Sequence, residues 1–462
     1  MSNSIKGFLK DNILVILIFI FSTSFFICQK FFGGAHWDFA LYMSNAKNLF
    51  SNGLFFEWWV PPLTPFLLGA FSIFGWFLAE YAYITAVSLL FLFSCIKFSE
   101  TFKINRGFFY AAMTNAYVLY YGLRNGTELL SLSLTILFFA YVFRKNGEKK
   151  SSFFLSLAVL ARYSNMFLLL FILLNRNIKK IILSVTVFLL VLSPWLLYNY
   201  LKTGSPLTSM ADYYVLVSLQ RLYYSDPFLQ GVSLAITAFF VAGMLIFRKK
   251  VKSLGLKEIS MIILTFISIA TFLNLPFRDV RYLFTLTLPL AYFFTKHFQK
   301  FKRLIFIILV FNIITTAYIM PEFMSSEDAI FKNIGPLDNC TVMSNVWVYL
   351  NYHDIPSEPY PLEEFVGESI DEGYRIVLFK WVKEPVYGGN ETFLSQFPMI
   401  AKNSNYVILG NSSLCKGYYE INTTFKERKG DFLMRVHNRT IEEELGCYKN
   451  ELSKALCYML GI

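Results

Sequence analysis

Apolar runs long enough to cross a membrane recur along this chain from Ile13 to Met320, and short basic blocks separate them. A helix needs about 20 apolar residues to cross the hydrocarbon layer. Hydrophobic residues make up 55% of the chain and charged residues 16%, and the mean hydropathy is +0.48. This balance is outside the range of soluble domains. The sequence therefore predicts a polytopic α-helical membrane protein. The first run is too long for a signal peptide and no small-residue cleavage site follows it, so we expect a retained helix.

The basic residues predict the topology. The net charge is +11, but the Lys and Arg residues cluster in the short segments between apolar runs. Such blocks are typical of cytoplasmic loops. A nucleic-acid partner is disfavoured, because no basic face with interleaved aromatic residues lies outside the predicted spans. The blocks are Lys6 and Lys10, Lys97–Arg106, Arg144–Lys150, Arg176–Lys180, Arg248–Lys257 and Lys296–Arg303.

With these blocks in the cytoplasm, the runs give about eleven spans, a cytoplasmic N-terminus and an extracytoplasmic C-terminus. Segment 151–175 begins and ends beside basic loops, so it is interpreted as two half-spans that meet at Arg162–Asn165. Segment 62–77 is interpreted as a helix at the outer interface, begun by Pro61-Pro62 and ended near Gly75. The remaining spans are 12–32, 79–98, 107–123, 128–144, 179–199, 230–247, 258–275, 280–297 and 303–320.

The polar C-terminal part predicts a separate, small α/β domain. We place the membrane domain at 1–320 and the extracytoplasmic domain at 321–462, with helices at 361–371 and 440–459. The alternating apolar pattern predicts strands at 340–348, 374–381, 405–410, 417–425 and 431–437.

Glycosylation motifs and cysteines agree with an exterior location for this domain. It carries Asn-x-Ser/Thr motifs at Asn339, Asn390, Asn411, Asn422 and Asn438. Its four cysteines allow up to two disulfides, in any of three pairings; they are Cys340, Cys415, Cys447 and Cys457. Cys28 and Cys95 lie in predicted spans, and we expect both to be packed apolar residues.

Two acidic residues follow the first span. Asp38 lies in HWDFALY, and Glu57 precedes the Pro61-Pro62 pair. A carboxylate at the mouth of a membrane bundle is costly to desolvate, and it commonly marks a functional site. The alternative is a solvated loop with ordinary acidic residues.

The order of these elements resembles a known family. An Asp after the first span, then PPL, then an apolar stretch ending in FG is similar to the GT-C superfold glycosyltransferases that use polyprenyl-phosphate sugars. Protein O-mannosyltransferases and lipid A aminoarabinose transferases are the nearest groups. The resemblance covers roughly residues 10–320. It departs from the family at Phe39, where an acidic pair is usual, and the WWDYG signature of oligosaccharyltransferases is absent. Further matching pieces are RNGTELL (124–130), LAVLARYSN (157–165), SPWLLYNY (193–200) and VRYLFTLTLPLAYF (280–293).

The resemblance implies transfer of a hexosyl or pentosyl group from a polyprenyl- or dolichyl-phosphate donor to a protein, lipid or glycan acceptor. Asp38 would be the general base, and the reaction would invert the anomeric centre. A lipid-phosphate sugar already carries its leaving group, and the sequence shows no Gly-rich nucleotide loop. A carboxylate that accepts the proton of the acceptor hydroxyl fits this chemistry.

The departing phosphate needs cationic donors, and Arg suits phosphate better than Lys does. Arg278, Arg281 and Tyr282 are the candidates in FRDVRYLF, with Arg162 as a further one. The alternative for each arginine is a local ion pair.

Three further residues are candidates for orienting the acceptor: Glu57, Glu128 and Tyr42. Glu128 has the alternative of simply favouring a helix N-terminus.

Two other classes of function stay open. A lipid-linked sugar transporter or flippase would also bury charges, although we see no internal repeat. A non-catalytic carbohydrate-binding membrane protein would keep the C-terminal domain without needing Asp38. No cofactor is implied. A divalent ion at His36 and Asp38 is an alternative with two ligands, fewer than competent metal sites use.

Overall fold

The computed structural model describes residues 2–174, 177–224, 255–273, 275, 279–301, 304–319, 334, 337, 339–422, 424–460 and 462. Most of these residues are helical. The predicted span 230–247, Arg278 and the predicted domain boundary at 320/321 lie outside the described residues.

The described residues up to Ile319 form a bundle of helices. Their residues form one large apolar core, and the chain keeps many large apolar side chains on its surface, as a lipid-facing bundle does. The helices are α1 (Ser2–Gly33), α2 (Trp37–Phe50), α3 (Leu63–Phe71), α4 (Trp76–Phe102), α5 (Arg106–Met113), α6 (Ala116–Tyr121), α7 (Glu128–Val142), α8 (Glu148–Ala161), α9 (Ile178–Thr203), α10 (Thr208–Tyr224), α11 (Leu256–Leu273), α12 (Thr287–Phe298) and α13 (Leu304–Ile319).

Within the described residues, four helices are long and apolar enough to cross a membrane: Ile13–Gly33, Trp76–Phe102, Ile178–Thr203 and Leu256–Leu273. Shorter apolar helices lie at Leu63–Phe74, Glu128–Val142, Tyr163–Leu174 and Ile305–Tyr318. The protein is therefore a membrane protein, and the count of about eleven spans stays a prediction.

Three predicted segments differ from continuous α-helices. Segment 107–123 is two helices, because the side chain of Asn115 accepts a hydrogen bond from the Val118 N–H and begins α6 anew. The first part of 280–297 is a 3₁₀ helix, Val280–Leu286. The predicted break near Arg162 is confirmed, because α8 ends at Ala161 and a 3₁₀ helix, Tyr163–Leu174, follows.

The short helix after the double proline also agrees with prediction. α3 has Pro62 as its N-cap and continues as a 3₁₀ turn, Ser72–Phe74. Gly75 then adopts φ +89°, a backbone conformation that favours glycine, and α4 begins at the next residue.

The basic segments meet at one end of the bundle. Arg144 binds Glu100 at 3.0 Å, and the Lys257 ammonium donates to the Thr101 carbonyl nearby. The Asn105 N–H donates to the side chain of Gln299 over 2.8 Å. These contacts join the segments after α4, α7 and α12 with the start of α11. Asp38 and the C-terminal domain lie at the opposite end, beyond the last residues of α1.

The C-terminal domain, residues 339–460, contains a five-stranded mixed sheet of order β2-β1-β3-β5-β4. β1 pairs in parallel with β2 and β3, whereas β5 pairs antiparallel with β3 and β4. The strands are β1 (Val342–Ser344), β2 (Ser357–Pro359), β3 (Arg375–Phe379), β4 (Met399–Lys402) and β5 (Tyr406–Leu409). The helices are α14 (Trp347–Tyr352), α15 (Val366–Asp371), α16 (Glu391–Leu394), α17 (Phe425–Phe432), α18 (Ile441–Leu445) and α19 (Glu451–Leu460), with 3₁₀ turns at Glu363–Phe365 and Val386–Gly389.

The strand predictions were right for β1, β3 and β5 and wrong elsewhere. Segment 431–437 is helical, because a capping box of Thr424 and Glu427 begins α17, which continues as a π-helix, Leu433–His437. Among its described residues, segment 417–425 forms isolated bridges at Gly417 and Ile421 and ends at the first residue of α17. β2 and β4 were missed, because both are edge strands whose side chains are partly exposed and form no continuous apolar run. The predicted helical segments 361–371 and 440–459 contain α15, α18 and most of α19.

The cysteines select one of the three open pairings. Cys340 bonds to Cys415, and Cys447 bonds to Cys457. Cys28 and Cys95 are free thiols, and Cys95 is fully buried in α4, as predicted for a packed residue.

Candidate active site

Asp38 lies in the first turn of α2, where its carboxylate faces a polar cavity of about 330 Å³. An acidic residue in this position is favoured by the helix dipole. α2 begins after the short loop that follows α1, so the fold places Asp38 at the mouth of the bundle. The side chain is 27% exposed.

Arg281 forms an ion pair with Asp38 across this cavity. Asp279 fixes the arginine twice: its carboxylate accepts the Arg281 backbone N–H over 3.0 Å and lies 3.2 Å from Nε. The guanidinium also donates to the Tyr282 hydroxyl over 3.2 Å. Arg281, near the start of the 3₁₀ helix Val280–Leu286, thus lies between two carboxylates and a phenol.

A second, more buried ion pair lines the same cavity. Glu128, the first residue of α7, lies 3.5 Å from the guanidinium of Arg162, at the break between α8 and the following 3₁₀ helix. The Glu128 side chain is 3% exposed. The Arg162 guanidinium also lies 5.8 Å from the ring centroid of Tyr282. The structure therefore brings together four predicted residues, Asp38, Arg281, Glu128 and Arg162, around Tyr282.

Tyr42 is one turn beyond Asp38 and also lines the cavity. Its ring packs against Gly126, which has φ +100°, and a Cβ at this glycine would lie 3.0 Å from the Tyr42 ring. The close approach of the segment before α7 to α2 therefore requires glycine at 126. The predicted Arg278 lies outside the described residues.

His36 caps the start of α2 without a side-chain capping bond. Burial lowers its pKa to about 4, although the nearby Asp38 carboxylate acts in the opposite direction. The imidazole is therefore neutral at neutral pH. Among the described residues, no group of three His, Cys, Asp or Glu side chains is placed to hold a metal ion.

Glu57 has a different environment from the one that the sequence suggested. It is not among the described residues that line the cavity. Its carboxylate binds Arg428 of the C-terminal domain, with contacts of 2.6 and 2.9 Å. Its backbone pairs with the side chain of Asn45 in α2 over 2.9 Å in both directions. Burial raises the pKa of Glu57 to about 7, while Arg428 lowers it.

Other cavity residues were not predicted. Trp37 and Trp59 lie close to the predicted acids Asp38 and Glu57. The concentration of aromatic residues in these loops was the one sequence signal that could have indicated the two tryptophans. One face of α10 forms a further wall of the cavity. The topology predicted from the basic residues placed a long loop between the spans 179–199 and 230–247, where α10 lies. These wall residues are Tyr213, Leu216, Val217 and Gln220.

A second, apolar groove of about 1160 Å³ begins beside Arg281. Val280 lines this groove, while Arg281 and Tyr282 line the polar cavity. The Tyr117 hydroxyl donates to the Val280 carbonyl over 2.7 Å and ties α6 to this junction. Other groove residues are Leu283, Leu290, Phe294, Ile307 and Phe311.

A search of solved structures finds one similar in fold. The crystal structure of ArnT from Cupriavidus metallidurans, bound to undecaprenyl phosphate, matches 89% of this chain and 100% of that chain. The TM-score is 0.50 and the sequence identity 10%. This chain has a GT-C fold. No protein-family profile and no curated protein sequence matches it. The fold predicted from the sequence resemblance is thereby confirmed.

Proposed function

We propose that this GT-C protein is a membrane glycosyltransferase that moves a sugar from a polyprenyl- or dolichyl-phosphate donor to an acceptor on the extracytoplasmic face. The observation that carries the proposal is the Asp38–Arg281 pair in the polar cavity. The pair combines a carboxylate with a guanidinium, a cation suited to binding phosphate, in the lining of one cavity. The fold likeness to ArnT, which is bound to undecaprenyl phosphate, supports a lipid-phosphate donor.

The two cavities suggest how the donor binds. The polyprenyl chain occupies the apolar groove, which an isoprenoid fills without leaving buried polar groups unpaired. The phosphate then reaches Arg281 and Tyr282, because Val280 of the groove directly precedes them. The fork of a guanidinium matches two phosphate oxygens.

Donor binding changes the partner of Asp38. In the structure, the Arg281 guanidinium is ion-paired with this carboxylate. When the donor phosphate binds Arg281, Asp38 becomes available to accept the proton of the acceptor hydroxyl. The acceptor oxygen bonds to the anomeric carbon as the bond from that carbon to the phosphate oxygen breaks. The lipid phosphate leaves with the electron pair, stabilised by Arg281, and a single displacement inverts the configuration.

The Glu128–Arg162 pair lines the same cavity. Glu128 is buried and Arg162 half-buried, and Tyr42 lines the same cavity. We assign Glu128 and Tyr42 to orienting the acceptor, and Arg162 to holding Glu128 and assisting the phosphate.

Transfer of a radiolabelled sugar from a polyprenyl-phosphate donor tests the proposal in purified, reconstituted protein. Wild type should form a labelled acceptor product, whereas Asp38→Asn should not. A transporter would move labelled donor across vesicles without forming product, and a carbohydrate-binding protein would retain ligand without either event. Either of those results would overturn the assignment.

A further inference from the structure

One short helix of the C-terminal domain belongs to two cores. Leu350 of α14 packs with the strands of the sheet, together with Val346 just before the helix. Val348 is fully buried in the core of the membrane bundle, and Tyr352 packs against that core. The helix cannot move relative to one core without disturbing the other, because both sets of side chains are anchored within six residues.

Trp347, the first residue of α14, reaches the cavity through another tryptophan. Its ring centroid lies 5.5 Å from that of Trp37, with the planes at 85°. Tyr349 contacts the same ring edge-on at 5.4 Å and 89°. Edge-to-face geometry is the favoured arrangement for aromatic pairs. Trp37 lines the cavity and directly precedes Asp38 at the start of α2.

Trp347 also contacts the segment that leads to the cavity residues Trp59 and Pro61. Its ring lies 5.1 Å from that of Phe55 and 5.7 Å from the Arg428 guanidinium carbon. Arg428 holds Glu57, and the loop continues from Glu57 to Trp59 and Pro61, which line the cavity. A single aromatic ring of the C-terminal domain therefore contacts Trp37 at the start of α2 and Phe55 in the loop that continues to Pro61.

We propose that Trp347 is a positioning residue, which fixes Trp37 and thereby the first turn of α2 that carries Asp38. This inference rests on the proposed transferase function. It gives the C-terminal domain a defined role in the reaction, since the first turn of α2 has no side-chain cap of its own. Trp347 is not one of the described residues that line the cavity, so it acts through Trp37.

Two measurements test this proposal on the full-length protein: sugar transfer, and hydrogen–deuterium exchange of peptides that cover residues 36–47. Trp347→Ala should lower kcat about ten- to a hundred-fold, the scale of a small misplacement of a reacting group. The donor KM should change less, and the amides of α2 should exchange faster. Trp347→Phe should restore most of both, because it keeps an aromatic ring against Trp37.

Tyr387→Ala is the matched control. Tyr387 is 4% exposed and packs in a different core of the same domain, with Leu378 and Leu394. Its loss should destabilise the domain without altering turnover or exchange in α2. Equal losses in the two variants would overturn the proposal, since they would show a general effect of domain stability.

The two readouts also separate this inference from the proposed function. Lost turnover without faster exchange, or faster exchange with normal turnover, would each contradict the positioning role. If wild type transfers no sugar, the proposed function fails. Exchange in α2 would still decide whether Trp347 orders the cavity, and unchanged exchange in Trp347→Ala would overturn that part.

Discussion

Arg281 forms an ion pair with Asp38, although 243 positions separate them in the sequence. The guanidinium and the carboxylate each satisfy part of the other's charge and hydrogen-bonding capacity. Under the proposed function, the donor phosphate must compete with Asp38 for the guanidinium, so donor binding comes before activation of the acceptor. Asp279 provides a second carboxylate contact to Arg281. Under the same proposal, this contact holds the arginine in place while the phosphate replaces Asp38.

Asp38→Asn should reduce turnover by at least ~10²-fold, the usual scale for removing a general base. Donor affinity should be retained or rise, because the amide competes less well for Arg281. Transfer assays and titration of a non-reactive donor analogue measure the two effects. Near-normal transfer by this variant would show that another group accepts the proton.

Arg281→Ala should weaken donor binding by ~1.5–3 kcal/mol, the range for a hydrogen bond to a charged group. Arg281→Lys should recover only part, because a point charge lacks the bidentate fork. Titration with a lipid-phosphate analogue measures this. Arg439→Ala is a suitable control, since that arginine is 64% exposed, pairs with Glu444 and does not line the cavity.

One double variant separates phosphate binding from a purely structural ion pair. If Arg281 serves only to neutralise Asp279, removing both side chains should restore donor binding. Under the phosphate role, Arg281→Ala with Asp279→Ala stays as weak as the single variant. Rescue by the double change would end the phosphate assignment.

The site could be predicted in part, because each acid or arginine follows a local signal. Asp38 comes after a span, Arg162 interrupts a segment bounded by basic loops, and Glu128 begins an apolar run. That these residues assemble into one cavity could not be predicted from the sequence. Ion pairs between residues far apart in the chain depend on how the helices pack. The sequence therefore indicated which residues line the candidate site, but not which of them form ion pairs with one another.

Glu57 shows the same limit. Its place ahead of Pro61-Pro62 suggested a ligand contact, but its partner Arg428 lies 371 positions later. The helix that carries Arg428 was predicted in part as a strand, because the Thr424 and Glu427 capping box was overlooked. Trp347 was missed for a similar reason: the segment that contains it was predicted as a strand, 340–348.

The Glu57–Arg428 pair should make stability depend on pH. Burial raises the folded-state pKa of Glu57 to about 7, above the ordinary value of 4.5. The folded state thus binds more protons between these values, so its stability falls as pH rises from about 4.5 to about 7. Glu57→Gln should flatten this part of the Tm–pH curve.

Asp212 contributes in the same direction and needs its own variant. It accepts the backbone N–H groups of Phe425 and Lys426 at 2.9 and 2.7 Å, and burial raises its pKa to about 6. Asp212→Asn should therefore remove a further part of the slope. Glu364→Gln, at an exposed position, is the control, and an unchanged slope in Glu57→Gln would contradict the prediction.

The last prediction concerns orientation. The basic segments meet at one end of the bundle, through Arg144–Glu100 and Lys257–Thr101, while Asp38 lies at the other. Because Lys and Arg concentrate in cytoplasmic loops, we expect the C-terminal domain to face outward. Single cysteines at Lys149 and Asn390, both exposed, test this with a membrane-impermeant thiol reagent in intact cells.

For that measurement the two free cysteines, Cys28 and Cys95, are replaced by serine, and the two disulfides are kept. Asn390→Cys should react in intact cells, and Lys149→Cys only after permeabilisation. Glycan at Asn390 or Asn438 would agree independently, because both asparagines are exposed. Labelling of Lys149→Cys in intact cells would invert the topology and move the proposed chemistry to the cytoplasmic face.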